Sequence, residues 1–126
     1  MRIGSSTPTS LFAGTPQRPL QIIRVTVVND RPDGTGPVMV RVEGTGVSTP
    51  VPPRISGMAP GTEATAEVPV AVAAQHGPGR RLPATAIAET AAGRCEAAAE
   101  ITVAEPGWTM WMVSHFHYDP VWWNTQ

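Results

Sequence analysis

Three side chains that can bind a metal or move a proton stand at strictly alternate positions near the end of this chain: His115, His117 and Asp119. Pro120 and a tryptophan pair, Trp122 and Trp123, follow at once. In a β-strand, side chains two residues apart share a face, so a strand over residues 110–119 would send both imidazoles and the carboxylate one way and Phe116 and Tyr118 the other. Asp119 precedes a proline, which biases it toward extended backbone and carries the alternation to the last donor. Two neutral imidazole nitrogens and a carboxylate oxygen suit a divalent transition metal. A strand that ends in such donors and turns at a proline reads as the rim of an active site.

The run His115-Phe116-His117-Tyr118-Asp119-Pro120-Val121-Trp122 resembles the His-x-His-x-Asp-Pro-x-Trp signature that opens the catalytic domain of glycoside hydrolase family 38, the retaining α-mannosidases. The resemblance covers residues 111–126. It implies that His117 and Asp119 are ligands of a catalytic zinc, replaceable by another divalent cation, and that His115 supports the metal from behind. It also implies that Trp122 is the platform under a mannose ring and that the substrate is an α-mannoside or a mannose-containing oligosaccharide. Tyr118 stands where the commonest form of the motif has a small or polar residue, and Val121 where it has glycine; Val-Trp-Trp is similar to a bacterial variant of the signature.

A catalytic zinc normally takes three protein ligands and keeps a position open, and this strand offers two, or three if His115 turns inward. Retaining glycosidases also need two carboxyl groups roughly 5 Å apart, and Asp119 is the sole acidic residue after Glu105. The family's nucleophile and remaining ligands lie far downstream of the motif. The chain therefore reads as the amino-terminal part of a longer enzyme, inactive alone. Two other readings stay open. A His-x-His pair closing a first barrel strand also resembles the amidohydrolases, with both His115 and His117 on the metal. Alternatively, the chain is a non-catalytic β-sandwich interaction module whose aromatic tail docks on a partner.

The elements that must position the motif come before it. The chain has 126 residues, 9 basic and 10 acidic, so no charged surface argues for nucleic acid or membrane partners. The single Cys95 excludes an internal disulfide. Its alternation with Ala97 and Ala99 marks it as a small buried hydrophobe. No apolar run reaches a membrane span of about 18 residues, and the amino end lacks the parts of a secretory signal, so cytoplasmic is the default location.

Residues 1–19, rich in Ser, Thr, Gly and Pro without a period, read as a flexible arm. Residues 20–105 then show repeated two-residue alternation. Ile23, Val25 and Val27 share one face, as do Val38, Val40 and Val42 in the next run. An edge strand is expected around residues 47–51, with Ile55 and Met58 plugging from a loop and a strong strand over residues 62–73. Pro69 belongs at an edge or a bulge of that strand, and His76 reads as a solvated turn residue. Residues 84–91 and 95–103 form a hairpin, the second strand setting Cys95, Ala97, Ala99, Ile101 and Val103 on one face.

The expected fold is mainly β: an immunoglobulin- or fibronectin-like antiparallel β-sandwich over residues 20–105, followed in residues 106–126 by the first strand of a truncated β/α-barrel catalytic domain. Residues 20–105 contain no Phe, Tyr or Trp. That favours a sandwich that buttresses a barrel over one that binds sugar.

Overall fold

An alternating run has an apolar face whether or not anything covers it, and folding is the search for the cover. In the computed structural model, which describes residues 1–107, Ile23, Val25 and Val27 share a core with Val38, Val40 and Val42, all six at 0% exposure. Val68, Val70 and Ile101 complete the same core at 0%.

Eight strands supply these faces: β1 (Arg2–Thr15), β2 (Arg18–Val28), β3 (Val38–Glu43), β4 (Val47–Ser48), β5 (Arg54–Ile55), β6 (Glu63–Val72), β7 (Arg81–Thr90) and β8 (Gly93–Thr102). They form two four-stranded antiparallel sheets, in the orders β1-β2-β6-β4 and β5-β3-β7-β8. No helix occurs among the described residues, and so none there is long and apolar enough to cross a membrane. The result is a two-layer β-sandwich whose chain crosses between sheets after β2, β3, β4, β5 and β6.

Residues 1–19 are not an arm. They carry β1, which pairs with β2 from Arg2 opposite Val28 to Thr15 opposite Arg18. Two register shifts, between Ile3 and Ser5 and between Pro8 and Phe12, break the two-residue period that would have announced a strand. The ladder holds β1 by its backbone, and an edge position with one neighbour tolerates Pro8 and the many Ser and Thr side chains.

The second shift is stitched from within by Gln21, a buried amide at 2% exposure. Its Nε2 donates to the carbonyls of Thr9 and Thr102, each at 2.9 Å, and its Oε1 accepts from the Ala104 amide at 3.1 Å. One side chain thereby joins β1, β2 and the segment leaving β8, with all its polar atoms satisfied.

The expected prolines fall where a missing donor is harmless. Pro69 pairs with Ile22 of β2, while β4 meets β6 only at Val72 and Ala71, so the outer side of Pro69 has no strand. The edge strand expected over residues 47–51 is only Val47–Ser48. Thr49 substitutes for a longer one, its hydroxyl accepting from the Val42 amide at 2.9 Å and donating to the Val42 carbonyl at 2.8 Å. Ile55 falls in the short β5, while Met58, at 5% exposure, plugs from the loop as expected.

β7 and β8 form the hairpin read from the sequence, with Thr90 opposite Gly93 across a two-residue turn. Burial along β8 alternates as expected, and two of its four inward residues are the alanines Ala97 and Ala99. Small side chains let the layers approach, and β1 comes within 8 Å of β8 between Cα atoms.

Cys95 is a free, half-buried thiol packed against the core. Burial pushes its pKa up, which leaves less reactive thiolate at mild pH. At pH 8 iodoacetamide is expected to modify Cys95 several-fold more slowly than a small free thiol. The difference should vanish once guanidinium unfolds the chain.

Candidate functional site

The sequence-predicted site residues His115, His117, Asp119 and Trp122, with the strand expected over residues 110–119, lie outside the described residues. So do Trp108, Trp111 and Trp123. What the fold fixes is the point from which the chain leads to them.

That point is firmly held. Beyond β8, the Val103 amide donates to the Arg80 carbonyl at 2.9 Å, and the Val103 carbonyl accepts from the Gly79 amide at 2.8 Å. The Ala104 amide is tied to Gln21. Pro106 follows, then Gly107 with φ +85°, a left-handed conformation that glycine adopts without strain. His115 lies eight positions after Gly107. At about 3.4 Å per extended residue, the motif begins no more than roughly 27 Å from this exit.

The exit opens beside a cleft of about 770 Å³ at one end of the sandwich. Phe12 and Leu20, near the β1–β2 hairpin, Val72 at the end of β6, Pro50, and Val103 and Pro106 of the exit itself make its apolar walls. His76 also lines it. The expectation of a solvated turn residue is not met: both ring nitrogens of His76 are shielded from solvent and have no hydrogen-bond partner among the described residues. On the Nε2 side Gly46, at φ +74°, draws in so closely that a Cβ there would stand 2.6 Å from His76 Nε2. The Ala73 amide donates to the Gly46 carbonyl at 2.8 Å and locks the approach. Turn residues flank His76 in the sequence, and nothing in that pattern signals a glycine arriving from another loop.

Most described carboxylates have structural partners. Arg41 donates from Nη1 to Glu89 Oε2 at 2.6 Å and sets Nε 3.0 Å from Glu43 Oε1. The bond to Glu89 is the main reason the guanidinium pKa is raised. Arg24 with Glu67, Arg81 with Glu100 and Arg94 with Glu96 are exposed pairs on the outer faces and contribute little each. At the opposite end Asp30 meets the terminal amine of Met1, which holds its carboxyl below the usual range. Among the described residues no three His, Cys, Asp or Glu side chains come together in a way that could hold a metal ion.

Compared with protein-family models, with curated proteins and with solved structures, the chain matches none.

Proposed function

We propose that this chain is the amino-terminal part of a metal-dependent retaining α-mannosidase. Its β-sandwich would be an accessory layer of immunoglobulin or fibronectin type, leading directly into the first strand of a β/α-barrel catalytic domain. The observation that carries the reading is the spacing His115-x-His117-x-Asp119-Pro120-x-Trp122. The sandwich reading is supported by strand order: β1-β2-β6 against β3-β7-β8 follows the A-B-E and C-F-G arrangement of such domains. The tight anchoring of the exit suits a layer that must hold a catalytic strand in place.

The donor set fits zinc. A neutral imidazole and a carboxylate are both good ligands for it, and a third from the remainder of the barrel would leave a position open for substrate. Bound there, the metal supplies Lewis-acid contact to vicinal sugar hydroxyls. His117 would hold the metal as a neutral imidazole, with an acceptor for its other N–H fixing the tautomer. Asp119 brings the negative charge that offsets the cation. Trp122, just beyond the proline, offers a flat apolar face on which the C–H face of a mannose ring stacks and from which water is excluded. The nucleophilic carboxylate belongs to residues downstream of Gln126.

A longer polypeptide beginning with this chain is expected to release mannose from an aryl α-mannoside with its anomeric configuration retained. Prolonged chelation should remove the activity, and added zinc should restore it. Inverted product, or turnover indifferent to metal removal, would overturn the proposal.

A further inference from the structure

Of the four strands that end the two sheets, three are poor partners for another chain. β4 and β5 are two residues long, and β1 is broken by two register shifts and carries Pro8. Short length, bulges and proline are devices by which sheets blunt their edges. β8 has none of them: ten residues without proline, paired to β7 in unbroken register from Arg81 opposite Thr102 to Thr90 opposite Gly93. We infer that β8 is a self-association edge, pairing antiparallel with β8 of a second copy about a two-fold axis at Ala97. The inference concerns the sandwich alone and does not depend on the mannosidase reading.

The backbone is set out for such pairing. An antiparallel strand bonds to one neighbour through every second residue and offers the residues between to the other side. Both backbone groups of Val103 bond to the loop before β7, at Arg80 and Gly79, whereas the Thr102 carbonyl and the Ala104 amide bond to Gln21 on the far side. Carried back along β8, this alternation turns the amides and carbonyls of Arg94, Glu96, Ala98 and Glu100 away from β7. No strand or loop backbone among the described residues bonds to them. β1 comes within 8 Å from the other sheet, but its ladder is with β2. All four residues are exposed.

Charge selects both the partner and the register. About an axis at Ala97, Arg94 of each copy lies opposite Glu100 of the other and Glu96 lies opposite Ala98, so opposite charges meet at both ends of the ladder. The pairs that Arg94 and Glu100 now make, with Glu96 and Arg81, are exposed, and exchanging them costs little. Neighbouring axes fit worse. At Glu96 the two copies of that residue face each other, and at Ala98 Glu96 faces Glu100, like charges in both cases. At Cys95 the ladder runs into the turn before Gly93 and leaves Glu100 unpaired, and at Ala99 it needs Thr102, whose carbonyl Gln21 already holds. A strand whose charges complement their own reversal fits a second copy of itself, as a two-fold interface requires.

Sedimentation equilibrium of the full chain over a concentration series should show reversible dimerisation. Arg94→Glu sets like charges opposite at both ends of the ladder and should weaken the dimer about tenfold or more. Glu100→Arg should do the same, and an equimolar mixture of the two variants should recover the dimer, because each then supplies the charge the other lacks. Cross-linking reads the register. Side chains at Ala97 would face each other in a non-hydrogen-bonded pair, where Cα atoms stand about 4.5 Å apart, within reach of a disulfide. Cys95→Ala combined with Ala97→Cys should therefore give a disulfide-linked dimer under oxidised glutathione. Cys95 of the parent, set opposite Ala99, should not.

A chain that stays monomeric at every concentration would overturn the inference, as would a dimer that neither charge variant weakens, or a mixture no more associated than its parts. A folded Ala97 variant that fails to cross-link would overturn the axis, and efficient cross-linking through native Cys95 would move it to that residue. Should the Ala97 variant lose the far-ultraviolet dichroism of the parent, the mixing experiment, which alters exposed residues only, still decides. Metal and substrate enter none of these measurements, so failure here would leave the mannosidase proposal standing.

Discussion

Replacing His117 or Asp119 by alanine in the longer enzyme is expected to reduce kcat/KM on an aryl α-mannoside by more than about 100-fold, because that is the upper end of what residues merely supporting a metal ligand are worth. Either change leaves the proposed centre one donor short of three, and the remaining imidazole or carboxylate cannot hold a divalent ion against water and buffer. Bound metal, counted per chain by elemental analysis after gel filtration, should fall in parallel with activity. His115→Ala separates the two metal-enzyme readings. In the mannosidase reading His115 stands behind the metal, so the variant keeps one zinc per site at saturating metal and loses about 10–100-fold in affinity. In the amidohydrolase reading His115 is itself a ligand and stoichiometric metal is lost. Full turnover in His117→Ala or Asp119→Ala would remove the basis of both.

The parts of the fold legible in the sequence are those in which packing imposes a period. β2, β3, β6 and β8 alternate because one face of each is sealed against the opposite sheet, and the fully buried valines sit at the positions the alternation assigns. β1 was not legible, since its pairing is interrupted twice and its side chains change face at each shift. β4 and β5, at two residues each, are too short for any period to show. Side chains that act across the molecule were equally hidden. Gln21 and His76 are explained by partners or neighbours that come from distant loops, Thr102 and Ala104 in one case and Gly46 in the other. The candidate metal centre is the opposite case. Its proposed donors lie within five consecutive residues, so the proposal can be made from their spacing alone, whereas any further ligands would come from segments that local spacing does not relate to it.

Asn29 shows how much stability can rest on a residue that looks like turn filler. It opens a loop of Pro, Asp and Gly, where a sequence suggests a solvated turn, yet its exposure is 0%. Its Nδ2 donates to the carbonyls of Asp33 at 2.9 Å, Ala59 at 3.1 Å and Met58 at 3.3 Å, two hydrogens serving three acceptors. Its Oδ1 accepts from the Arg31 amide at 3.2 Å. The amide therefore ties the loop after β2 to the loop before β6, and it holds Met58 as a lid on the core.

Asn29→Ala is expected to cost about 2 kcal/mol. A buried polar group left unpaired costs about 1–3 kcal/mol, and the Asp33 carbonyl is the acceptor that loses its partner, since the Met58 carbonyl also accepts from the Thr35 amide and the Ala59 carbonyl from Thr62. For a domain of this size each kcal/mol lowers the midpoint by roughly 4–8 °C, so the loss should be plain in a thermal melt. An unchanged midpoint would mean that the loops hold together without the amide.

Asn29→Asp keeps the shape and reverses the chemistry. At neutral pH a carboxylate would face three carbonyl oxygens with nothing to donate, so its folded-state pKa must rise above the unfolded value of about 3.9. A raised acid gives stability below the unfolded pKa and loses it as pH climbs through the folded one. The aspartate variant should therefore fall below the alanine variant at pH 7 and recover against it toward pH 4, where a protonated oxygen can again donate. Urea midpoints of both variants, each referred to the parent chain at the same pH, would show the crossing. Parallel curves would mean that the charge escapes to water and that the three carbonyls are not closing on the side chain.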